Sequence, residues 1–121
     1  MLVFVYGTLM QGYPNHHYLS NSKYLGRCIT QNKFTLLTDG IIPYLSREIA
    51  AHHISGELYD VNETDIESLD MLESRYIRSE IDVELMDGAV HTAGVYFKED
   101  KNMVYVVPSG DYRDIMSPDD F

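Results

Sequence analysis

Two stretches of this 121-residue chain carry residue types that can do chemistry together. The first is Leu69-Asp70-Met71-Leu72-Glu73. At 100° per residue, Ile66, Leu69 and Leu72 form an apolar stripe, and Glu73 falls inside it, seven residues after Ile66 and four after Leu69. Asp70 lies at the edge of the stripe, and Met71 points outward beside Glu67. A carboxylate turned toward a core at the C-terminal end of a helix is disfavoured as an anion twice, by desolvation and by the negative end of the helix dipole. Both effects raise its pKa toward neutrality, where a carboxyl group can take a proton and give it back. The alternative is that the helix frays at Leu72 and leaves Glu73 in solvent.

The second stretch is Val3-Phe4-Val5-Tyr6-Gly7-Thr8-Leu9. Its apolar, partly β-branched run reads as a strand covered on both faces that enters a glycine turn. Gly7 lets the backbone bend and lets another group approach without a Cβ in the way. Thr8 adds a hydroxyl. A strand end that releases its last N–H groups into such a turn can hold an anion or a polarised carbonyl, although a plain strand and turn reads the same way. The Tyr6 ring fits a core or a pocket wall equally, and Tyr96 and Tyr105 lie on predicted strands from which they can reach a pocket.

The elements that must position these groups follow from periodicity and turn chemistry. Asn15 is placed to cap a short helix over His16–Leu19. Strands are predicted at Tyr24–Thr30 and Lys33–Thr38, joined by Gln31-Asn32. Asp39-Gly40 turns into Ile41–Leu45, whose internal Pro43 makes it loop or sheet edge. His53–Val61 alternates as a strand, with Gly56 marking a bulge or a close backbone approach. A helix is predicted over Thr64–Glu73, capped by the Thr64/Glu67 box or by Asn62. Glu80–Leu85 and Val90–Phe97 flank the Asp87-Gly88 hairpin signal. Glu99–Asn102 turns into Met103–Val107, and Ser117–Phe121 reads as an acidic, frayed end. Strands outnumber helices, which suggests a small mixed or closed sheet with one helix over an open side.

Composition narrows the function classes. With Lys+Arg 9 against Asp+Glu 19, the net charge is −10, which argues against nucleic acid or an anionic membrane as a partner. The single cysteine, Cys28, allows no internal disulfide and fits a reducing, cytoplasmic compartment. No signal peptide or membrane span is read, and the length fits one domain, residues 1–121. The pairs His16-His17 and His52-His53 lack zinc-ligand spacing. Cys28 reads as a buried thiol, and neither Ser46 nor Ser109 sits in a nucleophile elbow.

The motifs Val5-Tyr6-Gly7-Thr8-Leu9, Pro14-Asn15-His16, Gly56-Glu57-Leu58-Tyr59, Leu69–Glu73 with Tyr76 and Arg78, and Gly110-Asp111-Tyr112-Arg113 together resemble the gamma-glutamyl cyclotransferase superfamily, the AIG2-like group. Within it they most resemble the gamma-glutamylamine cyclotransferase branch. The resemblance spans nearly the whole chain. It implies an α+β fold, a compact mixed β-barrel of about six or seven short strands with a few peripheral helices. It also implies Glu73 as catalytic general acid/base, and Tyr6, Gly7, Thr8 and Leu9 as the turn that binds the glutamyl group. Asp70 is then structural, and Arg78 pairs with a local acid such as Glu80 or Asp82. The segment Ile41–Leu45 helps to wall the pocket in such proteins but departs here in detail.

The reaction so implied is attack of the substrate's α-amine on its γ-glutamyl amide carbonyl. It gives 5-oxoproline and a free amine, with no cofactor and no metal. The partner is a small γ-glutamyl amide, and the protein is expected to be a monomer or a weak homo-oligomer. Two alternatives stand beside it. One is a non-catalytic small-ligand-binding module built on the Tyr6–Leu9 turn. The other is a cyclotransferase for another γ-glutamyl amide, such as a γ-glutamyl-protected biosynthetic intermediate.

Overall fold

The computed structural model describes residues 1–98 and 105–121. Strand β1 (Leu2–Val5) forms where the sequence places it. Val3, Phe4 and Val5 are buried on both faces, as a run without alternation requires. Strands β2 (Lys23–Thr30), β3 (Thr35–Thr38), β4 (Pro43–Ser46) and β5 (Ser55–Asp60) follow. Helix α1 (Glu63–Leu72) precedes β6 (Ile77–Leu85), β7 (Val90–Phe97) and the short β8 (Tyr105–Val106). Five strands close a barrel in the order β1-β5-β2-β6-β7. Closure is by a parallel pairing of β1 with β7, Val3 opposite Gly94, while the other four seams are antiparallel. A second sheet, β4-β3-β8, lies outside this barrel. The expected mixed barrel with peripheral helices is thus the fold, with eight strands among the described residues shared between two sheets.

Several local expectations need correction. β2 and β3 are not partners across Gln31-Asn32; β2 stays in the barrel while β3 begins the second sheet. Pro43 opens β4, an edge strand, where its missing N–H breaks no ladder. Asn15 does not cap the 3₁₀ turn His16–Leu19, because its side-chain amide donates to Thr8 Oγ1 at 3.0 Å instead. For α1, Asn62 is the cap: its side chain accepts from the Asp65 N–H at 2.8 Å, and Glu63 and Asp65 face the helix start. β6 begins at Ile77 rather than Glu80. The predicted turn Glu99–Asn102 and the start of the Met103 strand lie outside the described residues.

The C-terminal residues are ordered rather than frayed. Ser117 and Asp120 form a reciprocal capping box around the 3₁₀ turn Pro118–Asp120. Phe121 then sets its ring edge-on to Tyr13, with centroids 6.1 Å apart. Aromatic contact and capped backbone together outweigh the local acidity.

Gly56 is a close approach, not a bulge. A Cβ there meets the Val5 carbonyl oxygen and comes within 2.9 Å of the Phe4 ring. The bulge lies instead on β2, between Tyr24 and Gly26. Since Gly56 pairs with Cys28 on β2 and sits against the end of β1, one residue before the Val5–Glu57 pair, Gly56→Ala is expected to lower unfolding free energy by about 1–3 kcal/mol in urea titration. An unchanged midpoint would show that the β1–β5 seam tolerates a side chain there.

Candidate active site

The end of β1 leads straight into a tightly held turn. Met10 N–H returns to Gly7 O at 3.0 Å, and Asn15 N–H reaches Thr8 O at 2.9 Å. Glu57, buried on β5, accepts from both Gln11 N–H and the Tyr59 hydroxyl at 2.9 Å. It thereby ties the far side of the loop to the barrel. Gly7 packs against the Pro43 ring so closely that any Cβ would collide with it. Among the described residues, the N–H groups of Gly7, Thr8 and Leu9 find no acceptor. All three residues line one cavity of about 360 Å³. Backbone donors left over on a cavity wall can hold a carboxylate or a carbonyl oxygen.

Glu73 lines the same cavity. It is the C-cap of α1, and its N–H still bonds Leu69 O at 2.8 Å, so the helix does not fray before it. Glu73 O then accepts from Tyr76 N–H at 2.8 Å, and this turn brings Glu73, Arg75 and Tyr76 to the cavity together. Burial raises the Glu73 carboxyl from 4.5 to about 7. Asp70, three residues earlier, has a different setting. It accepts from the Tyr96 hydroxyl at 2.7 Å and faces Arg78 Nε at 3.2 Å. Two carboxylates at one helix end therefore differ in character: Asp70 is paired, and Glu73 is half-buried with no ion pair among the described residues.

Tyr6 and Tyr96 both wall the cavity. The Tyr6 hydroxyl donates to Tyr96 O at 2.6 Å, which joins the turn after β1 to β7. Burial holds the Tyr6 phenol well above its usual range, and Tyr76 and Glu73 push it further. Burial and the Asp70 carboxylate do the same to Tyr96, with a smaller push from Glu73. These phenols stay neutral and act as fixed donors. Tyr105 is exposed on β8 and is not among the lining residues. Arg78 does not line the cavity either, and its partner is Asp70 on the helix rather than Glu80 or Asp82 on its own strand.

The remaining candidates have structural roles. His16 and His17 bond the carbonyls of Leu9 and Pro14, and His53 bonds that of Thr30. His52 accepts from Leu36 N–H. Among the described residues, no three His, Cys, Asp or Glu side chains are grouped to hold a metal ion. Cys28 is buried, and its thiol is pushed up to about 12. Part of the lining was expected and part was missed: the resemblance implied that Ile41–Leu45 helps to wall the pocket, whereas Arg75, Lys98 and Phe121 were not foreseen. Ile41, Ile42 and Pro43 form one wall, fixed by the Tyr112 hydroxyl, which donates to Ile41 O. Arg75, Lys98 and Phe121 complete the outer part. Only Phe121 had a usable signal, the Ser117-Pro118-Asp119-Asp120 capping pattern that orders the segment before it.

Comparison with known proteins shows what the chain and its fold are similar to. A family model described as "Gamma-glutamyl cyclotransferase, AIG2-like" matches residues 3–114. A protein from Methanocaldococcus jannaschii, provisionally named a gamma-glutamylcyclotransferase, is 38% identical over 116 residues, covering 93% of this chain and 95% of its own. A Danio rerio gamma-glutamylaminecyclotransferase C is 34% identical over 112 residues, 79% of this chain and 74% of that one. Among solved structures, a mouse AIG2-like protein superimposes with TM-score 0.79 at 27% identity, covering 92% of this chain and 86% of that one.

The half-buried carboxyl has a measurable consequence. Glu73 binds its proton more tightly folded than unfolded, so it costs nothing below pH 4.5 and becomes destabilising as pH rises through about 7. Glu73→Gln removes that cost. The variant is expected to match the native protein at pH 4 and to exceed it at pH 8 by up to about 3 kcal/mol. Chemical denaturation at the two pH values measures this, and equal stabilities at pH 8 would mean that Glu73 is solvated.

Proposed function

Because this chain belongs to the gamma-glutamyl cyclotransferase, AIG2-like family, we propose that it is an enzyme that converts γ-glutamyl amides to 5-oxoproline and a free amine. The observation that carries this reading is that the half-buried Glu73 carboxyl and the unsatisfied N–H groups of Gly7–Leu9 line one cavity. One supplies a proton carrier and the other an anion or oxyanion holder. The nucleophile is already in the substrate, so folding the glutamyl chain back on itself supplies most of what a second reactant would otherwise require.

Glu73, as the carboxylate, takes a proton from the substrate's α-ammonium group. The freed amine attacks the γ-carbonyl carbon, and its oxygen takes up negative charge against the turn N–H groups. The amide C–N bond then breaks as Glu73 returns the proton to the leaving nitrogen. The second proton of the attacking nitrogen follows the same route, so the products are 5-oxoproline and the amine as an ammonium ion. The Tyr6 hydroxyl is committed to Tyr96 O and shapes the site without carrying protons. The amine half of the substrate is assigned to the γ-glutamylamine type, in line with the named vertebrate relative. We assign the whole reaction to one domain and to the cytoplasm, where the lone Cys28 stays reduced.

Release of 5-oxoproline from γ-glutamyl-ε-lysine and simpler γ-glutamyl amides tests the assignment. Glu73→Gln is expected to lower kcat/KM by about 10²-fold or more. The native kcat/KM should rise with pH through about 7, where the carboxylate becomes the main form. Equal activity in the variant would remove Glu73 as proton carrier. Binding without release from any amide would favour a ligand-binding module.

A further inference from the structure

We propose that Glu57 is a positioning residue: it fixes the peptide between Met10 and Gln11, and so aims the Gly7–Leu9 N–H groups at the substrate's γ-carbonyl oxygen without touching the substrate. This deepens the reaction proposed above and rests on it. Among the described residues, Glu57 is the one charged side chain that is buried, at 4% exposure. It forms no ion pair among them and does not line the cavity. A carboxylate in such a setting is costly unless hydrogen bonds satisfy it. Its bonding partners therefore show what it holds.

Strand register sets its position. Val5 and Glu57 are the last paired residues of β1 and β5 before β1 gives way to the turn. Glu57 Oε1 accepts from Gln11 N–H and from the Tyr59 hydroxyl, both at 2.9 Å. Tyr59 belongs to the barrel wall, buried against the rings of His16 and Tyr24. The Gln11 bond is the one that leaves the barrel.

In a trans peptide the C=O and N–H point opposite ways, so holding the oxygen aims the hydrogen. The carbonyls of Gly7, Thr8 and Met10 accept from the N–H groups of Met10, Asn15 and Tyr13 at 3.0, 2.9 and 3.1 Å. Leu9 O meets His16 Nδ1 at 3.0 Å. The Thr8 and Leu9 N–H groups share peptide planes with the bonded Gly7 and Thr8 carbonyls, which turns them toward the cavity. All of these bonds lie within the loop from Gly7 to His16. They fix its shape but not its place on the barrel. Among the described residues, Glu57 is the one strand side chain that bonds the backbone from Gly7 to Gln11. Without it the loop keeps its internal bonds, but its tilt against β5 is less restrained. A donor aimed at a developing oxyanion loses value steeply when it is misplaced.

Release of 5-oxoproline from γ-glutamyl-ε-lysine by Glu57→Ala, Glu57→Gln and Tyr59→Phe tests this, at a temperature where circular dichroism shows each variant folded. Heteronuclear NOE values of the Gly7, Thr8 and Leu9 amides are measured alongside. Glu57→Ala is expected to lose kcat by roughly 10- to 100-fold with KM within about 3-fold, since the donors act on charge that develops in the transition state. Its kcat/KM should still rise with pH through about 7, because Glu73 is unaltered. Glu57→Gln keeps an acceptor facing Gln11 and should recover kcat to within about 5-fold of native. Tyr59→Phe leaves the Gln11 bond in place and should cost stability but less than about 3-fold in kcat. Should Glu57→Ala not fold, Glu57→Asp replaces it: the charge stays but stops one methylene short of Gln11, and the same kcat loss is expected. A native kcat in the folded Ala or Asp variant would overturn the proposal. So would an equal kcat loss in Tyr59→Phe, which would assign the effect to packing of β5. If the native protein releases no 5-oxoproline, the reaction is overturned and the NOE values decide the positioning by themselves. Lower values at Gly7–Leu9 in the Ala or Asp variant would support it, and unchanged values would overturn it.

Discussion

The site depends on how the barrel closes. β1 and β7 pair in parallel through Val3 and Gly94, although more than ninety residues separate them in the chain. A parallel seam carries both strands toward the same end of the barrel. There, β1 gives way to the Gly7 turn, and β7 presents Tyr96. The Tyr6 hydroxyl bonds the Tyr96 carbonyl, and the Tyr96 hydroxyl reaches back to Asp70 on α1. One closure thus brings together the donor turn, the aromatic wall and the helix end that carries Glu73. No short segment contains these three parts.

Within that frame, Asp70 and Glu73 show how environment divides similar groups. Asp70 is held by a phenol and a guanidinium, which satisfy its charge and orient α1 on the barrel. Glu73, one turn later, lies in the cavity with burial alone acting on it. Placing an unpaired carboxyl there opposes folding at neutral pH, since the ionised form is disfavoured. The surrounding packing holds it regardless: Leu69 is fully buried on the same helix face, and the Glu73 backbone is bonded on both sides. A position that weakens the fold while tuning a carboxyl group is the pattern expected of a working residue.

The outer cavity follows a different rule. Its wall is assembled from the β3–β4 connection, the turn after α1, the end of β7 and the C-terminal residue. Three contacts between distant segments hold this wall: Tyr112 on Ile41, Tyr76 on Pro43 and Tyr13 on Phe121. Tyrosine is well suited to this work, because its ring packs while its hydroxyl finds a distant carbonyl. The ten tyrosines of the chain are thus largely joints between elements rather than isolated surface residues.

Short-range physics made part of this legible in the sequence. The apolar run of β1, the Asp87-Gly88 hairpin, the α1 stripe and the place of Glu73 on it depend on neighbours within about seven residues, and the spacing alone determined them. Motif resemblance along the chain added the barrel and the family. The rest was set by contacts whose partners lie far apart. The Asn15 side chain turned to Thr8, and Arg78 reached Asp70 across an element boundary. Ile41 was held by Tyr112, 71 residues away. Which polar group satisfies which cannot be read from periodicity, because each choice is made against every other group the fold brings near. The sequence determined that Glu73 falls on the apolar stripe of α1; only the tertiary structure decided that the helix holds there and that Glu73 faces a cavity shared with the Gly7–Leu9 donors, because barrel closure sets that distance and local spacing does not.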